Sequence, residues 1–437
     1  MTSVILQIIK MKFYYSLCSN KYYPFDNMSF LENLPDDIII TILLNLDYKS
    51  IFLMCQLSCN LSNFCQRNLD NILRQSLSKI IDLKTNDYNR QQLLILYQSL
   101  CQHKNISAGN EHSLILSNIS QIYAFGYNGH GQLGLGDYTD KNSPTLILNL
   151  NHIIQIASGF SHSLALSNAG QVYIFGYSGS EHLGLDRVRN IPTLIPNLNH
   201  IVQISTGYNH LLILSDIGQM YICETRLEGK NMFTNLTNII QISTGFSHSL
   251  ILSNTGQIYA FGYNDCGELG LDDVDNVHIP TLIPNISYII QISAGYSHSL
   301  VLSNNGQIYA FGANDEGQLG LGDKIDRNVP TLISNLPTII QISTGGGFSL
   351  ALSNNGQIYA FGSNFLGQLG LGDEIDRNVP TLIPNLEDIK QISAGDYHSL
   401  ILSNNGQIYA FGNNDHGQLG LKDNDNRNVP TEVMSIY

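Results

Sequence analysis

The chain has 437 residues, 43% of them hydrophobic, and a formal charge of −14 at pH 7, enough length and apolar content for one large domain plus a smaller one. From Asn105 to Tyr437 there are 11 Lys and Arg against 27 Asp and Glu, whereas the first 104 residues hold 10 against 8. The C-terminal three quarters therefore repel phosphate, and no nucleic acid is expected to bind there. Seven cysteines are scattered, five of them before residue 105, without the spacing of a zinc ribbon or a secreted disulfide framework, which suits a reducing compartment.

In chain order, MTSVILQIIKMKFYYSLC is apolar but interrupted by Lys10 and Lys12, too short to span a bilayer and without a small-residue cleavage site. Residues 1–27 read as a lead-in outside the fold, with Met11 and Met28 as alternative starts. Residues 28–103 read as a helical region. Within it, NLPDDIIITILLNLDYKSIFLMCQLSCNLSNFC (33–65) begins with Pro35 in a first helical turn and Asp36 and Asp37 complementing the dipole. Leu34, Ile38, Ile39, Ile42, Leu43 and Leu46 follow at helical spacing, and Ile51, Leu53, Cys55, Leu57 and Leu61 continue a second helix. Cys55 and Cys59 read as apolar helix residues, not metal ligands. Residues 66–104 provide one or two further helices.

This stretch resembles an F-box: Leu34-Pro35, an acidic pair, spaced Ile and Leu, then Lys49-Ser50 before a hydrophobic helix, with Phe64 as a loose match to the closing aromatic. The resemblance implies a motif that binds the adaptor subunit of a cullin-type ubiquitin ligase through Leu34, Pro35, Ile38, Ile39, Ile42, Leu43 and Leu46. The alternative reading is a helical cap on the domain that follows.

From residue 104 the chain repeats itself. The glycine of an I-S-[AT]-G phrase recurs at Gly109, Gly159, Gly207, Gly245, Gly295, Gly345 and Gly395, at intervals of 50, 48, 38, 50, 50 and 50 residues. Within 291–312, QISAG and HSLVLS are followed by Asn304-Asn305-Gly306 and QIYAFG. This predicts a hairpin whose Asn-Gly turn takes positive φ at both central positions. His298, Leu300 and Leu302 are expected on one face, Tyr309 and Phe311 likewise share a face, and Val301 and Ile308 point the other way. Both faces then carry apolar groups, as a radial stack of blades requires. The second half of each unit, such as ANDEGQLGLGDKIDRNVPTLI (313–333), is turn-dense and returns to an extended PTLI. Four short strands in each of seven units predict an all-β, seven-bladed β-propeller over 104–437. Repeats of the WD type need Trp, which the chain lacks, and the paired-glycine signature of kelch units is missing.

The phrase G-x-x-H-S-L, then Y-A-F-G-x-N-x-x-G-Q-L-G-L-G-D and V-P-T, resembles the repeat of the regulator of chromosome condensation family and covers about 105–437. The resemblance implies a seven-bladed propeller whose repeat is offset from its blades, so that the terminal PTEVMSIY shares a blade with KNISAG (104–109). The family includes a nucleotide exchange factor for a small GTPase. Here, no long insertion or basic arm carries that activity over.

Two units depart from the pattern. The second carries Arg187 and Arg189, and the third replaces its loop with ICETRLEGKNMF (222–233), which contains Glu224, Arg226, Glu228 and Lys230. These are candidate partner-binding residues, or drift in a loop that nothing needs. A histidine recurs at His112, His162, His210, His248, His298 and His398, with Phe348 in the remaining copy. A metal or catalytic site would require these positions to converge in one channel. A buried imidazole bonded to its neighbours satisfies the pattern instead, with Phe348 buried in the equivalent slot. The D-x-x-D phrases (Asp137 with Asp140, Asp323 with Asp326, Asp373 with Asp376) depart from a calcium loop and suit local turn amides. No phosphate-binding loop, dinucleotide fingerprint or nucleophile–base pair is present. The sequence therefore predicts a non-enzymatic protein without cofactor, metal or membrane segment, intracellular and monomeric without partners, that joins a ligase adaptor to an unknown target protein. Coupling an F-box to a repeat domain also resembles proteins of large DNA viruses. Exchange-factor and plain-scaffold readings are the alternatives.

Overall fold

The computed structural model describes residues 105–435 except 178–187, 199, 209, 225–230, 234–235 and 237. The expected lead-in (1–27), the F-box-like residues Leu34, Pro35, Ile38, Ile39, Ile42, Leu43 and Leu46, and the rest of the helical region lie outside the described residues.

The described residues form seven four-stranded antiparallel sheets, each made of four strands consecutive in sequence. The first blade comprises β1 (Ile106–Ala108), β2 (His112–Leu116), β3 (Ile122–Gly126) and β4 (Lys141–Leu146). The last comprises β25 (Ile389–Ala394), β26 (His398–Ser403), β27 (Gln407–Gly412) and β28 (Arg427–Ser435). This corrects the expectation of a shared blade. The C-terminal strand pairs with β27 at the outer edge of blade seven, and 106–108 pair with β2 in blade one. Each unit begins at its own inner strand, so unit and blade coincide and no strand has to be exchanged to close the ring.

Closure comes instead from contacts between blade faces. Apolar clusters lie between neighbouring sheets: Leu400, Leu402, Ile408 and Ala410 of blade seven pack with Ile106, Ile115 and Phe125 of blade one, and Leu300, Leu302, Ile308 and Ala310 pack with Ile339, Ile342 and Phe361. The register regroups one expected face. Leu302 lies opposite Ile308 and Leu300 opposite Ala310, whereas Val301 lies opposite Tyr309. Cross-strand partners share a face, so Ile308 joins Leu300 and Leu302 and not Val301. The conclusion that both faces are apolar holds.

The hairpin forms at the expected place with a different turn. Gly306 N donates to Ser303 O at 3.0 Å and Ser303 N to Gln307 O at 2.9 Å. Gly306 takes φ +82° while neither Asn304 nor Asn305 is left-handed. This is a three-residue connection with one left-handed glycine, next in preference to the two-residue Asn-Gly turn. The Ser303 hydroxyl lies across the turn, 2.5 Å from Asn305 Oδ1 and 2.9 Å from Gln307 O, with one proton to give to either.

In blade one the left-handed position is occupied by Ser120, at φ 61°. A side chain there strains the backbone, so Ser120→Gly is expected to stabilise the protein by about 0.5–1 kcal/mol. Denaturant unfolding followed by circular dichroism measures the difference, and a lower midpoint for the variant would contradict it.

Candidate interaction face

The inner strands end in the marker glycines, where successive blades come closest. A Cβ on any of the seven would lie 2.0–2.8 Å from the carbonyl oxygen of the next marker glycine, with Gly395 meeting Gly109 to complete the circle. Their φ angles are ordinary, so lack of space and not backbone conformation excludes every other residue. The next residue donates across the seam: Tyr296 N to Gly345 O at 3.2 Å, Gly346 N to Gly395 O and Asp396 N to Gly109 O at 3.1 Å. Below them, Gln155 forms a two-bond clasp with the Ile204 backbone (both 2.9 Å). Gln391 Oε1 accepts from Asn105 N at 2.8 Å and Ser393 Oγ from Ala108 N at 3.1 Å, joining last blade to first.

The recurrent histidines belong to the same seams and do not meet in one channel. His298 Nε2 lies 3.0 Å from Ser349 Oγ of the following blade, and that hydroxyl donates to Gln318 O at 2.9 Å in the long loop of the histidine's own blade. Because the serine proton is committed to a carbonyl, the imidazole must donate from Nε2, and burial, which lowers its pKa to about 4, keeps it neutral. His112 to Ser163, His210 to Ser249, His248 to Ser299 and His398 to Ser113 repeat the contact at 2.8–3.0 Å. Blade three has Leu211 where the serine would be, and His162 bonds the Thr206 hydroxyl instead. Phe348 is 0% exposed and lies opposite Gly362 as His298 lies opposite Gly312. It fills the slot while Ser399 keeps only its bond to Gln368 O at 2.8 Å.

Among the described residues no group of three His, Cys, Asp or Glu is arranged to hold a metal ion. The D-x-x-D carboxylates bind amides and cations of their own loop, and Asp140 and Asp376 also reach His416 and Lys324 of a neighbouring blade. Asp323 Oδ1 accepts from Asn314 Nδ2 and Ile325 N at 3.0 and 3.1 Å, its Oδ2 from Arg327 at 2.6 Å, and Asp326 Oδ1 from Asn314 N at 2.8 Å. Of the irregular-unit candidates, Arg189 is buried in the strand Val188–Leu194 and has its interactions inside the protein, which takes it off the accessible surface. The side chain of Glu224, and Arg187, Arg226, Glu228 and Lys230 altogether, lie outside the described residues.

The face that carries individuality is the channel mouth, formed by the residues after the marker glycines. Phe160, Tyr208, Phe246 and Tyr296, from blades two to five, form a continuous aromatic arc with ring centroids 4.2, 4.1 and 3.9 Å apart. Blades six, seven and one supply Gly346, Asp396 and Asn110. Asp396 keeps part of its surface accessible but is crowded enough, with the Glu111 charge nearby, that its carboxyl is pushed up to about 7. Its charge in turn raises the Tyr397 hydroxyl, after burial. Glu111 lies 3.9 Å from His416 Nε2, whose Nδ1 is 2.9 Å from Asp140 Oδ2 across the blade-seven to blade-one seam. Sequence reading missed this arc, although its signal, an aromatic directly after G in four successive units, was on the page.

An RCC1-like domain model matches residues 225–436, and regulator of chromosome condensation repeat models match 120–166 with 169–214 and 104–132 with 153–181. The chain belongs to the regulator of chromosome condensation repeat family. An F-box domain model matches residues 31–73. Yeast RCC1 (Prp20) in its Kap60-bound crystal structure is 22% identical, with a TM-score of 0.66 over 73% of this chain and 85% of that one. Human WBSCR16 is 19% identical, with a TM-score of 0.65 over 72% and 94%. At that identity the likeness concerns the fold. The E3 ubiquitin-protein ligase MYCBP2 of Danio rerio is 48% identical over 42 residues, 10% of this chain, which spans about 1% of that relative's length.

Two predictions follow from the neutral imidazoles. Desolvation lowers the pKa from 6.5 to about 3 at His112, His248 and His398 and to about 4 at His162, His210 and His298. The unfolded chain then binds the extra protons between pH 6.5 and 4, so stability falls as pH falls, by about 1.4 kcal/mol per pH unit for each histidine. Unfolding midpoints between pH 7 and 4 are expected to drop steeply, and a flat profile contradicts the assignment. Blade six shows that a phenyl ring serves the slot, so His298→Phe should cost about 1 kcal/mol or less and flatten that slope by one proton. His298→Ala should cost about 2–4 kcal/mol through the cavity it leaves. Equal costs for the two variants in denaturant unfolding would contradict a packing role.

Proposed function

We propose that this protein is a substrate-recruiting adaptor of a cullin-type ubiquitin ligase, in which the F-box binds the ligase adaptor subunit and the propeller holds a target protein. The observation that carries the reading is the F-box match at 31–73 on the same chain as a regulator of chromosome condensation propeller. A non-catalytic role agrees with recurrent histidines that are buried and bridge neighbouring blades through Nε2. Work with a ligase adaptor places the protein inside a cell, and a viral origin would make the ligase that of the host. Among the described residues no helix is long and apolar enough to cross a membrane.

Capture by the purified ligase adaptor tests the proposal. The intact chain should be retained, and Leu34→Ala combined with Pro35→Ala should weaken retention about tenfold or more, since both residues belong to the F-box motif through which the chain is proposed to bind the adaptor. Failure of the intact chain to bind overturns the ligase link. A second reading, nucleotide exchange on a small GTPase through the propeller, draws on the fold shared with yeast RCC1 at 22% identity. Accelerated nucleotide release from a small GTPase would favour it. Binding to neither would leave the plain scaffold.

A further inference from the structure

Four Asn-Gly pairs occur in the chain, at Asn128, Asn305, Asn355 and Asn405. An asparagine is most prone to lose its side-chain amide in this pair, because the glycine has no Cβ to shield the main-chain nitrogen that attacks. The glycine nitrogen, once stripped of its proton, bonds to the asparagine Cγ, the Cγ–Nδ2 bond breaks, and ammonia leaves carrying a proton. Water then opens the cyclic imide at either carbonyl and gives aspartate or isoaspartate.

Asn305, Asn355 and Asn405 are exposed in the turns that join the second and third strands of blades five, six and seven, so water and base reach them. Their bonding nonetheless holds both reacting groups. Gly306 N donates to Ser303 O at 3.0 Å, Gly356 N to Ser353 O at 3.0 Å and Gly406 N to Ser403 O at 3.1 Å. The carboxamides are tied at both ends. Asn305 Nδ2 donates to Gln307 Oε1 at 2.8 Å, while its Oδ1 accepts from Gln307 N at 3.3 Å and lies 2.5 Å from Ser303 Oγ. Asn355 and Asn405 repeat the Nδ2 bond, to Gln357 and Gln407 at 2.9 and 2.8 Å. In blade four Thr255 bridges the same two neighbours without an amide, 2.8 Å from Ser253 Oγ and 3.2 Å from Gln257 Oε1. The fourth pair differs in that Asn128 is buried, its Nδ2 donating to Asp137 O and Oδ1 at 3.0 and 2.9 Å.

We propose that Asn305, Asn355 and Asn405 are deamidation sites gated by their own turns, inert while the blade is closed and reactive once the glycine N–H and the carboxamide are released, so that lasting unfolding of blades five to seven becomes a covalent and irreversible change. The attacking nitrogen must lose its proton, as in amide hydrogen exchange, and a bonded N–H does so only after local opening. The products do not fit the closed turn. Aspartate has no Nδ2–H to give, so Gln307 Oε1 loses its donor and faces a carboxylate instead. Isoaspartate adds a carbon to the main chain between Ser303 and Gly306, where one backbone bond closes a four-residue turn. The Ser-Asn-Gln bridge itself does not need the amide, as Thr255 shows. The inference does not rest on the ligase reading.

The full-length chain tests this at mildly alkaline pH, native in one arm and above its urea midpoint in the other, with peptide mapping by mass spectrometry to follow aspartate and isoaspartate at each position. Modification of Asn305, Asn355 and Asn405 is expected to be at least about tenfold slower in the native arm, the scale of two hydrogen bonds that must open together. Native rates equal to those in urea overturn the gating. Samples diluted from urea after increasing times are then separated into refolded and unfolded fractions by size exclusion. The refolded fraction should be depleted in isoaspartate at the three positions, and equal content in both fractions overturns the irreversibility. A variant with Asn305→Thr, Asn355→Thr and Asn405→Thr copies blade four, and its refolding yield should fall more slowly with time in urea than the parent's. An equal fall overturns the irreversibility too. The comparison of native protein with urea needs no variant, so it decides even if the triple variant fails to fold.

Discussion

Successive blades approach so closely at the ends of their inner strands that the carbonyl of one marker glycine occupies the space a neighbour's Cβ would need. All seven seams share this contact, including the one from Gly395 back to Gly109. The glutamine clasps and the serine bonds to the next strand span a separation set by that approach. So do the histidine bridges, which run from one blade to a hydroxyl on the next and then back to the first blade's loop. A ring built this way needs no exchanged strand to close, because each seam carries its own polar and apolar bonding.

Local departures show which parts of the seam are negotiable. Leu211 removes a serine and Thr206 takes its bond. Phe348 removes an imidazole, and Ser399 remains satisfied by Gln368 O alone. Neither change leaves a hydroxyl buried without a partner, which is the costly outcome in a low-dielectric interior. The glycines admit no such substitution, since the clash would be with backbone on the facing blade.

Positions outside these constraints are free to differ between blades, and they gather at the channel mouth. The residue after a marker glycine gives its backbone N–H to the seam in six blades, while its side chain varies from blade to blade. Four blades carry an aromatic there, one a glycine, one a carboxylate and one the buried Asn110. A symmetric scaffold thereby carries an asymmetric surface, which suits a protein-binding module whose specificity resides in a few side chains on a rigid frame.

The repeat period, the count of seven blades and the strand content were legible because glycine, Asn-Gly turns and alternating apolar residues act locally and recur at fixed spacing. The burial of Phe348 was legible too, since one aromatic stood among six histidines at the same position. The turn type was not, because it depends on which backbone groups pair across the connection, and the face of Ile308 depended on the resulting register. Nor was the phase of blade closure, which depends on which strands pair and not on where the repeat is seen to begin. Tyr296, Gly346 and Asp396 stand 50 residues apart in sequence and become successive positions only when the ring closes. The sequence by itself determined the blade, because its code is short-range. The tertiary structure alone decided the channel mouth, because it consists of side chains that successive blades place next to one another.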